Sequence, residues 1–224
     1  MIYLDHLTTT PPLTEVVDAM QPWLRGQFGA PASLHKLGLE ARDAIDAARE
    51  RLAKLVNAAE PEEIIFTSSG TEAINHAVKG AALANRRFGS HIVTTGIEHP
   101  AVIGSVAWLE SQGFSSTRVG VDGQGRVDPN ALGRAMTDET ILVCLQHANL
   151  DLGTVQPVAE VAELTGERGI PLFVDATASG GWLPVNVQAA NVSLLSLAPH
   201  RFHGPQGVGV LYRNRRVPLT PQMH

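Results

Sequence analysis

The stretch Glu63-Ile64-Ile65-Phe66-Thr67-Ser68-Ser69-Gly70-Thr71-Glu72 decides the fold. Its first four residues read as a short apolar strand. Hydroxyl residues and a glycine break the run, and a helix is predicted from Thr71 to Ala84. The same strand-then-helix unit recurs downstream. His91 to Thr95 is predicted as a strand and Pro100 to Ser111 as its helix, then Ser116 to Val121 as a shorter strand and Asp128 to Met136 as the next helix. Thr140 to Leu145 precedes a helix near Val158 to Arg168, and Leu172 to Asp175, Val192 to Leu197 and Gly207 to Arg213 complete the strands. Several of these are nearly continuous apolar runs, as expected of strands covered on both faces. The alternation specifies an α/β fold, a mostly parallel seven-stranded sheet with helices on both faces.

Upstream of this region the pattern is helical. Pro11-Pro12 opens a predicted helix from Leu13 to Gln27, the loop Gly29-Ala30-Pro31-Ala32-Ser33 follows, and a long helix is predicted from Leu39 to Asn57. Ala44, Ala47, Ala48, Leu52 and Leu55 recur at the spacing of a buried face. The expected organisation is an N-terminal helical segment, 1–57, joined to a sheet domain, 58–224, in one compact unit. At 224 residues the length suits one substantial α/β domain, and 44% hydrophobic with 17% charged residues is a globular composition, not a disordered one. The only cysteine, Cys144, excludes an internal disulfide framework or a multi-cysteine metal site, and its place inside an apolar strand marks it as a buried, inert thiol. A formal charge of -5 and a pI near 6.0 argue against nucleic acid as a partner. No apolar run approaches the ~20 residues that span a bilayer, and the first residues lack the marks of a secretory signal. A cytoplasmic protein with no membrane partner is expected.

In open parallel sheets, ligands gather beyond the carboxyl ends of the strands. There the sequence places Ser69, Gly70 and Thr71 at a strand-to-helix turn, where free N–H groups and the helix dipole can cradle an anion. The same residues, followed by Glu72, also make an ordinary helix cap. His99, His147, Asp175, His200 and Arg201 fall at other strand ends on this rim. Three histidines can bind zinc, but none of the local spacings is a ligand motif, so no metal site is assigned.

Several motifs in register extend the reading. Tyr3-Leu4-Asp5, Thr8-Thr9-Thr10-Pro11, Phe28-Gly29-Ala30-Pro31-Ala32-Ser33-Leu34-His35 and Phe66 to Glu72 are followed by Glu98-His99-Pro100-Ala101-Val102, His147-Ala148-Asn149, Asp175-Ala176 and His200-Arg201-Phe202-His203-Gly204-Pro205-Gln206-Gly207-Val208-Gly209. In order and spacing they resemble the cysteine desulfurases, pyridoxal phosphate (PLP) enzymes of the class V aminotransferase fold. The resemblance covers essentially the whole chain and implies a PLP-transferase-like large domain with the C-terminal small domain absent.

What the resemblance implies for the site is mixed. Asp175 matches the carboxylate that pairs with the cofactor's pyridine nitrogen, and His99 the ring that stacks on it. Thr71 and His200 match phosphate-binding positions, with Ser69 and Gly70 in the same turn. The family's Schiff-base lysine, however, is Arg201 here. Leu150 replaces an Asn, Ala178 a Gln and Ala198 a phosphate-binding Ser, while His6 and Leu7 follow Tyr-Leu-Asp where the family has smaller residues. At about half the family's usual length, the chain also lacks the loop with the persulfide-forming cysteine and the substrate-binding arginine. These departures imply a vestigial PLP pocket made of Ser69, Gly70, Thr71, His99, Asp175, His200 and Arg201, with no covalent cofactor, PLP at most weakly bound, and no confident catalytic residue. The expected role is a pseudoenzyme acting as a binding subunit in a sulfur-transfer or iron–sulfur context, as a homo- or hetero-oligomer with an active desulfurase or another sulfur-handling protein. One alternative is an anion or phosphorylated-ligand binder, or an enzyme, using His99, Asp175, His200 and Arg201. Another is one half of a split desulfurase completed by another chain. The sheet face left by the absent segment is expected to be apolar and uncovered.

Overall fold

A computed structural model describes residues 2–223. The strands are β1 (Ile64–Thr67), β2 (His91–Thr95), β3 (Ser115–Val119), β4 (Thr140–Gln146), β5 (Leu172–Asp175), β6 (Leu194–Leu197) and β7 (Gly209–Arg213). The helices are α1 (Thr14–Arg25), α2 (Lys36–Val56), α3 (Gly70–Asn85), α4 (Pro100–Ser111), α5 (Pro129–Ala135) and α6 (Val158–Glu167). Most boundaries fall within two residues of the sequence expectation. The sheet runs in the order β1-β7-β6-β5-β4-β2-β3. Pairing is parallel for β2 with β3 and β4, β4 with β5, and β5 with β6; β7 alone is antiparallel to its neighbours β1 and β6. The carboxyl ends of the other strands therefore share one edge.

The order explains how the faces are covered. From β2 the chain steps outward to β3, then returns across β2 to lay down β4, β5 and β6 in the opposite direction. Right-handed crossovers put helices of opposite steps on opposite faces. Ala73, Ile74, Ala77 and Val78 of α3 and Val102, Val106 and Leu109 of α4 pack in one core cluster. Leu132 of α5, Val161 and Ala162 of α6, and Ala53 and Val56 of α2 pack in the other. Strand β4 alternates between them, Leu142 and Cys144 to the first, Val143 and Leu145 to the second. The strand order reverses between β2 and β4, and in such sheets ligands gather beyond the carboxyl ends at that point.

Two expectations are corrected. Among the described residues the sheet shows no uncovered apolar face: β2, β4, β5 and β6 are buried along their whole length, because both faces carry helices from this chain. Exposed apolar surface lies instead on the N-terminal helices. Helix α1 has no buried residue, and Leu13, Val17, Trp23 and Leu24 are exposed near or along it. In α2 the buried residues are Gly38, Ala41, Ala53 and Val56, while Ala44, Ala48 and Leu52 are half-buried and Ala47 and Leu55 are exposed. Periodicity alone located the wrong line because only part of the helix meets the rest of the molecule. The helix also starts three residues early, since His35 Nδ1 accepts from Gly38 N–H at 3.3 Å and caps it.

The segment before α1 is sewn to the loop after β6. Thr10 N–H donates to His200 O at 2.8 Å, Leu13 N–H to His203 O at 3.2 Å, and His203 N–H to Thr10 Oγ1 at 2.6 Å. This fixes the first residues against the carboxyl edge.

Burial predicts unequal sensitivity to truncation. Leu142 is 0% exposed and Leu24 is 72% exposed. Leu142→Ala is expected to lower unfolding free energy in urea by about 2–5 kcal/mol, through lost transfer energy and a residual cavity. Leu24→Ala should change it by no more than about 0.5 kcal/mol. Equal losses for the two would contradict this packing.

Candidate functional site

Each strand end contributes polar groups to the edge, and burial decides their state. Asp175 closes β5 as a buried carboxylate. Its Oδ1 accepts from Thr177 N–H at 3.0 Å and from Ser196 Oγ, on neighbouring β6, at 2.8 Å. Beyond β2, Glu98 is 4% exposed, and Thr95 Oγ1 donates to its Oε1 at 2.6 Å. Its Oε2 is buried without a partner. Burial, with the negative charge of Asp175 adding to it, pushes Glu98 from an ordinary 4.5 up to about 8. The shift favours its protonated form near neutral pH.

The histidines are shifted towards their neutral forms as well. His99 Nδ1 accepts from Ala101 N–H at 3.0 Å and caps α4, so any ring proton sits on Nε2. Burial lowers its pKa; Asp175 opposes that shift and Arg201 adds to it. His147 Nδ1 lies 2.9 Å from Ser179 Oγ, and burial lowers it too. His200 is lowered by burial and by neighbouring Arg201. The loops after β2 and β4 are joined where Asn149 Nδ2 donates to Ile97 O at 3.1 Å.

Across the edge, Ser69 Oγ accepts from Glu72 N–H at 3.1 Å and caps α3. Gly70 sits where a Cβ would come within 2.9 Å of Thr177 Cγ2 and 3.2 Å of Ala198 Cβ, so the N-terminus of α3 is pressed against the turn after Asp175. Thr71, in the first turn, is exposed. Arg201 follows β6 in a single 3₁₀ turn, Pro199–Arg201. Its Nε is buried without a partner, and its carbonyl accepts from Trp182 Nε1 at 2.8 Å.

Electrostatics bring part of the candidate set together at the carboxyl edge. His99 lies within electrostatic range of both Asp175 and Arg201, and His200 within range of Arg201. A cavity of about 570 Å³ opens beside Arg201, lined among others by Leu4, His6, Leu7, Leu150, Ala178 and Trp182. Of the seven residues singled out in the sequence, only Arg201 lines it. Ser69, Gly70, Thr71, His99, Asp175 and His200 lie outside that lining. Among the described residues, no group of three His, Cys, Asp or Glu side chains is placed to hold a metal ion, so His99, His147 and His200 do not converge. No helix among the described residues is long and apolar enough to cross a membrane.

Sequence reasoning passed over Trp182, Ser179 and Glu98. The glycine pair before Trp182 is the available signal for the first. Gly181 has φ +81°, and a Cβ there would lie 2.6 Å from Phe202 Cβ, so the backbone must approach the Arg201 loop closely. Glu98 stood inside a quoted motif, but its burial has no local signature.

The family model described as Aminotransferase class-V matches residues 2–223. A protein named Cysteine desulfurase IscS from Dictyoglomus turgidum is 44% identical over 223 residues, covering 100% of this chain and 56% of that protein. One of the same name from Methanosarcina thermophila is also 44% identical, covering 100% and 55%. The chain thus spans about half the length of the curated relatives it matches. Among solved structures, one described as a NIFS-like protein superposes with a TM-score of 0.96 at 35% identity, covering 100% of this chain and 62% of the other.

Glu98 gives this edge a pH signature. Folded, its carboxyl holds a proton up to about 8; unfolded, it ionises around its ordinary 4.5. Its stabilising share is therefore full below about 4.5 and is lost as pH rises towards 8. The buried histidines act oppositely, contributing stability above their ordinary 6.5 and losing it as pH falls. Comparing the protein with Glu98→Gln cancels the histidines. In urea titrations, the parent is expected to lose stability relative to the variant between about pH 5 and 8. A difference that stays constant over that window would refute the assignment.

Cys144 offers a second check, since it is fully buried and burial pushes its thiol well above the ordinary range. Maleimide labelling should be negligible in the folded protein and complete after denaturation.

Proposed function

The chain belongs to the aminotransferase class-V family, and we propose that within it the chain serves as a binding subunit derived from a cysteine desulfurase, not as a desulfurase sufficient in itself. The observation that carries this reading is Arg201. The resemblance puts the cofactor-binding lysine at that position, and its neighbours His200, Phe202 and His203 keep the motif in register. Imine formation needs a neutral amine, whereas a guanidinium stays protonated, with a pKa above ~12.

The residues around it fit pyridoxal phosphate no better. Leu150 and Ala178 line the cavity with carbon where the resemblance expects amide groups, and Leu7 and His6 project from the N-terminal segment into the same lining. Ala198, in place of a serine, offers no hydroxyl to a phosphate. Losing several hydrogen bonds at ~0.5–1.5 kcal/mol each weakens binding by orders of magnitude. Any PLP is then held weakly and without a covalent bond. Cys144, buried in β4, offers no accessible thiol for sulfur transfer.

A subunit role is supported by what the chain leaves exposed. The apolar side chains along α1, Val17, Trp23 and Leu24, call for a partner more than for solvent. The relatives' names place the family in sulfur mobilisation. The proposed partner is a second copy, an active desulfurase or another sulfur-handling protein, in a sulfur-transfer or iron–sulfur context.

The test has two arms. Incubation with PLP and borohydride is expected to leave no stoichiometric adduct on the protein, and Arg201→Lys alone should gain little. The triple change Arg201→Lys, Leu150→Asn, Ala178→Gln should capture more. Stoichiometric capture by the unaltered chain at a single lysine would overturn the reading. In native mass spectrometry of gently purified protein, a specific oligomer is expected; a monomer at high concentration with no partner would count against the subunit role.

A further inference from the structure

The cavity beside Arg201 is more than a spoiled cofactor pocket. Its walls are mostly carbon: Leu4, Leu7, Leu150, Leu152, Val155 and Leu183 contribute to them. Its volume of about 570 Å³ is within the range of small-ligand sites, which are characteristically apolar with a few placed polar groups.

Asn149 and Ser179 in its lining are committed to protein partners. Asn149 Oδ1 accepts from Asp151 N–H and Leu152 N–H, and its Nδ2 donates to Ile97 O and Gln146 Oε1. Ser179 Oγ is paired with His147. Asp151 is exposed, so water screens its charge. His6 packs edge-on against Tyr3. Arg201 is different. Its Nε is buried with no acceptor, and among the described residues its guanidinium has neither a side-chain hydrogen bond nor an ion pair. Other buried unpaired atoms of this edge, Glu98 Oε2, Gln146 Nε2 and Thr177 Oγ1, belong to residues outside the cavity lining.

We propose that this cavity binds a small amphiphilic carboxylate, with its anionic head on the Arg201 guanidinium and its hydrocarbon body among Leu4, Leu7, Leu150 and Trp182. A guanidinium presents a planar fork that matches a carboxylate in two parallel hydrogen bonds. One cation within apolar walls suits a monoanion with a carbon chain. A phosphate would need more donors, and the anion-attracting N-terminus of α3 does not line this hollow. The inference rests on the reading that Arg201 has replaced an imine-forming amine, and it adds what the replacement recognises.

Trp182 makes the site readable, because its indole lines the cavity. The probes are octanoate, 1-octanol and inorganic phosphate, added to the full chain and followed by tryptophan fluorescence and by calorimetry. Octanoate is expected to bind saturably, and Arg201→Gln to weaken it about tenfold or more, the usual scale for a lost charge-assisted hydrogen bond. Octanol binding should not depend on Arg201. Trp182→Phe should abolish the optical change while the heat remains. Leu150→Glu, which sets a like charge on the wall, should abolish octanoate binding even if Arg201→Gln folds poorly. Octanoate and octanol binding equally, unchanged affinity in Arg201→Gln, or preference for phosphate would each overturn the proposal. Stoichiometric PLP capture by the unaltered chain overturns the underlying reading. No octanoate binding in a chain that also captures no PLP overturns this inference alone.

Discussion

The carboxyl edge is organised around Asp175, because a carboxylate buried at the end of a central strand must be hydrogen-bonded. Ser196 supplies a donor from the neighbouring strand and Thr177 supplies one from the turn that follows. Those two bonds tie β5 to β6 and set the path of the chain after β5. That path brings Ser179 to His147 and Thr177 against Gly70 at the start of α3. The loop beyond β6 then carries Arg201 and accepts the N-terminal segment through Thr10. Pieces from distant parts of the sequence meet here because one buried charge has to be satisfied.

The same burial governs what chemistry remains. Glu98, His99, His147 and His200 are all shifted towards their neutral forms. The Asp175 carboxylate has its hydrogen bonds, whereas the Nε of Arg201 is buried without one. An unpaired polar atom in a low-dielectric setting is a cost that the fold leaves standing. Imine chemistry is not open to a guanidinium; anion recognition is.

The N-terminal segment has two tasks that pull its apolar residues in different directions. Leu4 and Leu7 face the Arg201 cavity, held there by the bonds from Thr10 and Leu13 to the 200–203 loop. Helix α1, immediately after, buries nothing and presents Val17, Trp23 and Leu24 outward. The sheet itself is covered on both faces by helices of this chain. Exposed apolar surface therefore comes from the helices that precede the sheet, while both faces of the sheet are covered.

The sequence by itself determined the elements, the α/β class and the identity of the chemistry at position 201. Strand and helix periods are local, so α3, β2, α4 and β5 were legible to within a residue or two, and no folding is needed to know that arginine is not lysine. The tertiary structure alone decided which face of α2 is buried, that both sheet faces are covered, and that Glu98 is shifted towards its protonated form. It alone placed Leu4 and His6, nearly two hundred residues away in sequence, in the lining of the cavity beside Arg201. Burial, and with it the protonation and pairing of a side chain, depends on what long-range packing brings against it. No local pattern encodes that environment.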